Sequence, residues 1–205
     1  MALSLTKGST AESLVNASGV PVTKLTVGVG WDKSSRGKKG LAGWASKRKG
    51  IDLDLSVLVY DNNGAGVRVC GFDTPVLFQG SLRHTGDNKT GKGDGIDESI
   101  EIDLSSMQPN ITGLVVCLNA FKDGVTFADI AGADCFFSEG FGGDQHGLGM
   151  FSVPIDKPDK STVFMARLVK GDGGDWTISV VNQMDDLPAD SVTGMLSAGK
   201  RFLTA

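Results

Sequence analysis

Residues 162–181 read TVFMARLVKGDGGDWTISVV, and this stretch decides the fold class. Two runs rich in Val, Leu, Ile, Phe and Trp flank Gly171-Asp172-Gly173-Gly174. A short Gly/Asp cluster between such runs marks a tight turn joining two antiparallel strands. The same pattern recurs along the chain. Lys24–Val29, Asp52–Tyr60, Val67–Phe72, Ser99–Leu104, Gly113–Phe121, Asp134–Phe137 and Met150–Pro154 are further predicted strands. Turn signals such as Asp61-Asn62-Asn63-Gly64 and Asp123-Gly124 punctuate them. Only Asp190–Phe202 and, with a weaker pattern, Thr10–Asn16 read as helical. Many short strands at this spacing predict a mostly β protein: an antiparallel two-sheet β-sandwich with a short C-terminal helix.

Composition supports this reading. Glycine contributes 29 of 205 residues, about twice its usual share of roughly 7%. The acids divide into 20 Asp and four Glu (Glu12, Glu98, Glu101 and Glu139). Aspartate competes for its own backbone and favours turns, whereas helical proteins favour glutamate, so a bundle of long helices is excluded. Hydrophobic residues make up 40% of the chain, enough to bury a core. No sequence repeat or composition break divides it, so residues 1–205 read as a single domain. No run approaches the roughly 18–20 apolar residues that span a bilayer. The opening residues lack the pattern of a secretory signal. Cys70, Cys117 and Cys135 are widely spaced in apolar surroundings, which predicts small buried hydrophobes rather than a disulfide frame or zinc cluster. These features together predict a cytoplasmic location.

The net charge of −4 is unevenly spread. Lys33, Arg36, Lys38, Lys39, Lys47, Arg48 and Lys49 stand in a segment without acids, which reads as a basic loop inserted between strands at about 33–50. Such a run is commonly a solvated loop. The other reading is a contact, through 33–49, for anionic lipid or nucleic acid, with Trp44 as an anchor.

Chemistry concentrates in residues 84–98, HTGDNKTGKGDGIDE. Glycines there let carbonyls and the short side chains of Asp87, Asn88, Thr90, Asp94, Asp97 and Glu98 converge. Converging oxygens without clustered nitrogen or sulfur donors suit a hard cation such as Ca²⁺. Strand periodicity places Asp52 and Asp54 on one face, where a cation would relieve their repulsion, and Asp32 is positioned to join from a strand end. Look-alike motifs fail. An EF-hand loop from Asp87 would need Gly where Lys92 stands, and a phosphate loop would need Ser or Thr where Gly93 stands. An enzyme is not indicated: His84 belongs to the loop, His146 lies in a glycine-rich connection read as a lid or a loose linker, and no nucleophile motif appears.

The chain resembles the TerD family of calcium-binding tellurium-resistance and general stress proteins. The resemblance rests on Ser4-Leu5-Thr6-Lys7-Gly8, Val27-Gly28-Val29-Gly30-Trp31-Asp32 and Asp52-Leu53-Asp54. Above all it rests on the 84–98 segment. It implies a non-enzymatic β-sandwich binding one or two Ca²⁺ ions. The implied ligands are Asp32, Asp52, Asp54, Asp87, Asn88, Asp97 and Glu98, with Thr90 and Asp94 as further donors. It also implies membrane-associated tellurium-resistance partner proteins and a role in tellurite or other chemical stress. Two departures stand out: Ile96 occupies a position that usually carries an acid, and the basic insert has no family counterpart. The other functional class left open is a calcium-dependent lipid- or carbohydrate-binding module using the Trp44 loop.

Overall fold

A computed structural model describes residues 3, 5–6, 10–33, 52–89, 95–120, 125–153, 155–156, 159–187 and 191–203. The strands are β1 (Glu12–Ser13), β2 (Lys24–Lys33), β3 (Leu53–Asp61), β4 (Gly66–Cys70), β5 (Val76–Leu77) and β6 (Leu82–His84). They continue with β7 (Glu98–Asp103), β8 (Ile111–Ala120), β9 (Ile130–Glu139), β10 (His146–Ser152), β11 (Thr162–Lys170) and β12 (Trp176–Asp185). Among the described residues one α-helix, α1 (Val192–Gly199), follows and tightens into a 3-10 turn at Lys200–Phe202. No helix among the described residues is long and apolar enough to cross a membrane.

The strands form two six-stranded sheets, in the orders β1-β12-β11-β8-β3-β4 and β10-β9-β2-β7-β6-β5. Every pairing between them is antiparallel. The 162–181 segment forms the β11–β12 hairpin, closing with Lys170 opposite Trp176. Within its turn Gly171 N–H donates to Asp175 O at 2.9 Å, and Gly174 takes φ +89, a left-handed value that glycine adopts without penalty.

Sequence pattern follows burial. β7 alternates buried and half-buried residues, as expected for one solvated face. β3 and β8 read as nearly unbroken apolar runs because both of their faces are covered. Leu53, Leu55, Val57 and Val59 point into the core between the sheets. On the outer face, Leu58, Tyr60, Val115, Cys117 and Phe164 form a second apolar cluster under Met195 of α1. Tyr60 Oη fixes the helix by donating to Leu196 O at 2.9 Å. The outer face of β3 is therefore acidic at Asp54 and apolar at Leu58 and Tyr60.

One predicted element is corrected. Thr10–Asn16 is not helical. Glu12 and Ser13 pair with Ile178 and Thr177 as an edge strand, and Leu14 N–H donates to Trp176 O at 2.8 Å. The sheet edge supplies backbone partners, and Asn16 Oδ1 accepts from Ser18 and Val20 N–H to turn the chain. The strands β5 and β6 are too short to leave a hydrophobic run in the sequence. The glycine-rich connection around His146 is largely a hairpin, with His146 opening β10 opposite Glu139. All three cysteines are buried free thiols, and Trp31 and Trp176 are core residues.

Candidate metal centre

The site lies where β3 and β7 begin, at one end of the sandwich. β4 pairs with β3 only as far as Val57 opposite Cys70. Beyond that point β3 has no strand on this side among the described residues, and the backbone N–H of Leu55 needs another acceptor. Glu98 Oε2 supplies it at 2.8 Å. The same carboxylate is held by two further donors: His84 Nε2 at 3.3 Å and Asn88 N–H at 3.1 Å. Gly86 N–H donates to His84 Nδ1 at 3.3 Å, so the ring hydrogen sits on Nε2 and points at Glu98. Glu98 is 1% exposed. It clamps β3, β6 and the start of the glycine-rich loop together.

Asp97 does the equivalent work on the neighbouring side. Adjacent residues in extended backbone point opposite ways, so Asp97 faces β2 while Glu98 faces inward. Asp97 Oδ2 accepts from Trp31 N–H at 2.8 Å, and Oδ1 accepts from Asn88 Nδ2 at 2.7 Å. Gly95 makes the approach possible: it takes φ +96, and its carbonyl oxygen occupies the space a Cβ on Gly30 would need. Ile96 then lies over Gly28, where a Cβ would come within 2.8 Å of its side chain. The residue that departs from the acidic pattern is an apolar cover on a glycine strand.

With the loop held in this way, Asp52, Asp54 and Asp87 converge. Each offers a carboxylate oxygen, and the three oxygens lie within 4.8 Å of one another. Asp54 is 6% exposed, and its Oδ2 accepts no hydrogen bond among the described residues. Burial, followed by the charges of Glu98, Asp52, Asp87 and Asp73, raises the Asp54 carboxyl from its ordinary 3.8 to about 8. Lys89 Nζ approaches Asp87 to 3.5 Å from the solvent side, a surface pair of small energy. Carboxylate oxygens that repel one another and include a buried atom without a donor among the described residues fit a hard cation.

The sequence-predicted residues therefore divide by role. Asp52, Asp54 and Asp87 form the cluster, while Asn88, Asp97 and Glu98 form the hydrogen-bonded frame beside it. Asp32 lies in β2 opposite Gly132; its side chain, with Thr90, Asp94 and the basic segment 34–50 including Trp44, lies outside the described residues. Asp73 joins the electrostatic field without any sequence signal, because it stands in an ordinary turn 19 positions beyond Asp54.

A family model described as the TerD domain matches residues 1–186. The chain belongs to the TerD family. Tellurium resistance protein TerZ from Serratia marcescens is 28% identical over 201 residues, spanning 95% of this chain and 99% of TerZ. Stress response protein SCP2 from Bacillus subtilis (strain 168) is 38% identical over 128 residues, 59% of this chain and 61% of SCP2. In fold, this TerD-family chain matches the crystal structure of a homologue of telluride resistance protein (TerD) from Streptomyces coelicolor A3(2). The TM-score is 0.66 at 19% identity, over 87% of this chain and 98% of that one. The names of these relatives denote resistance and stress response, and none denotes a catalytic activity.

Proposed function

We propose that this TerD-family protein is a non-enzymatic calcium-binding protein of tellurite and chemical-stress resistance, with Asp52, Asp54 and Asp87 as the central ligands. The observation that carries the reading is the convergence of these three carboxylates, together with a buried Asp54 oxygen that lacks a donor among the described residues. Calcium takes six to eight oxygens at flexible geometry, and an all-oxygen set of this kind suits it better than a softer ion. The names of TerZ and SCP2 support the biological half of the reading.

Calcium would neutralise the cluster, and its binding would favour conformers in which Asp87 stays drawn to Asp52 and Asp54. The proposal extends to cytoplasmic action beside membrane-associated resistance proteins. Calorimetric titration of the chelator-stripped protein with calcium chloride tests the site. Heat saturating at about one or two ions per chain, abolished by Asp54→Asn, is the expected result. An unchanged isotherm in that variant rules the assignment out.

A further inference from the structure

Asp54 has a neighbour that the acidic segments do not contain. Across the β3–β8 pair it stands opposite Asn119. Both project to the outer face, the face on which Leu58 and Tyr60 of β3 and Val115 and Cys117 of β8 meet α1. Directly opposed residues in an antiparallel pair bring their Cβ atoms to about 4.5–5.5 Å. Asn119 is 3% exposed, and its Oδ1 is enclosed without a hydrogen-bond partner among the described residues, as is Asp54 Oδ2.

The orientation of the amide follows from its other neighbour. Asn119 Nδ2 donates to Thr162 Oγ1 at 2.8 Å, and Thr162 stands opposite Asn119 on β11, away from β3. The Thr162 hydroxyl directs its own hydrogen to Leu187 O at 3.4 Å. It therefore meets Asn119 as an acceptor, and the amide must present nitrogen to it. Oxygen and nitrogen occupy different branches of the amide, so Oδ1 is not the atom turned to Thr162, and the strand on the other side of Asn119 is β3 with Asp54. Two enclosed acceptors on opposed residues, neither with a donor among the described residues, are a pair that one cation would satisfy.

We propose that Asn119 is an oxygen ligand of the cation held by Asp52, Asp54 and Asp87. The inference rests on the calcium reading of that cluster and adds a donor from the sheet itself. An uncharged carbonyl is a normal calcium ligand, and it raises the coordination number without adding charge to carboxylates that already repel. Thr162 positions the amide, so this donor stands ready before the ion arrives.

The test is calcium chloride titration by calorimetry of the wild type, Asn119→Leu and Asn119→Asp, with circular dichroism to confirm folding. Asn119→Leu removes the oxygen at similar volume and should weaken binding by at least about ten-fold. Asn119→Asp keeps an oxygen while losing the amide donor, and should bind at least as tightly as wild type. Independently of any variant, the Asn119 carbonyl ¹³C resonance of the wild type should move downfield as calcium saturates. Wild-type affinity in Asn119→Leu, Asn119→Asp as weak as Asn119→Leu, or an unmoved carbonyl resonance overturns the assignment while the calcium site stands. A wild type that binds no calcium overturns both readings.

Discussion

Without calcium, this protein should become less stable as pH rises through neutrality, the reverse of ordinary acid denaturation. The perturbed group is Asp54, whose carboxyl is raised from 3.8 to about 8 by burial and then by its acidic neighbours. Its folded pKa lies above its unfolded one, so between the two values the native chain holds a proton that the unfolded chain has released. The stabilisation is fully present below pH 3.8 and is lost as pH climbs toward 8. Each pH unit inside that window removes about 1.4 kcal/mol. From pH 5 to 7 the loss is on the order of 3 kcal/mol, or about 5–10 °C in melting temperature for a chain of this length. Other perturbed carboxylates do not blur the window. Asp61, Asp103 and Asp185 are held below the usual carboxylate range by hydrogen bonds from neighbouring backbone and side chains, despite partial desolvation. Their stabilisation is present above pH 3.8 and is lost only as pH falls further.

Calcium should flatten this slope. The ion competes with the Asp54 proton, so its apparent affinity should rise about 100-fold between pH 5 and 7, with a proton released on binding. At a free concentration 100 times the dissociation constant at pH 7, calcium adds about 2.7 kcal/mol, close to the deficit it replaces. The assay is thermal unfolding at pH 5, 6, 7 and 8 in chelator and in calcium, followed by calorimetry in two buffers of different ionisation enthalpy. A chelator melting temperature that holds steady or rises from pH 5 to 7 would refute the reasoning. So would an Asp54→Asn variant that keeps the wild-type slope, because an amide at this position has no proton to lose in that range.

Glu98→Gln should destabilise the fold by about 2–4 kcal/mol, since an amide nitrogen would face one of the N–H donors that now converge on the carboxylate; urea denaturation measures this. Gly30→Ala should cost about 1–3 kcal/mol and weaken calcium binding, because the added methyl displaces the Gly95 carbonyl that seats the loop; urea denaturation and calorimetry read the two effects. The three thiols should resist a disulfide reagent at pH 8 until the protein is unfolded: all are buried, and burial raises the thiols of Cys70 to about 11, Cys117 to about 12 and Cys135 higher still. Rapid reaction of any one in the native state would contradict the packing.

The difference between what the sequence discloses and what it conceals has a physical pattern here. The 162–181 hairpin is legible because its turn chemistry and its apolar runs are local properties of 20 consecutive residues. The strand at Glu12–Ser13 is concealed because it exists only by courtesy of Trp176 and Ile178, more than 160 positions later. The same division runs through the site. That Asp52, Asp54 and the 84–98 loop belong together can be read from clustered oxygens and glycines. Which acids converge and which serve as frame cannot, because Glu98 is assigned its clamp by a non-local event: β4 ends early and leaves Leu55 N–H without a strand partner. Asn119 is the extreme case. In sequence it is one polar residue at the end of LVVCLN, 65 positions from Asp54, with nothing beside it to suggest a ligand. Register places it opposite Asp54, and Thr162 on the next strand holds its amide nitrogen. Sheet pairing builds neutral, preorganised donors of this kind. A search confined to acidic motifs passes over them, and in this fold the place to look is the residue opposite each buried carboxylate.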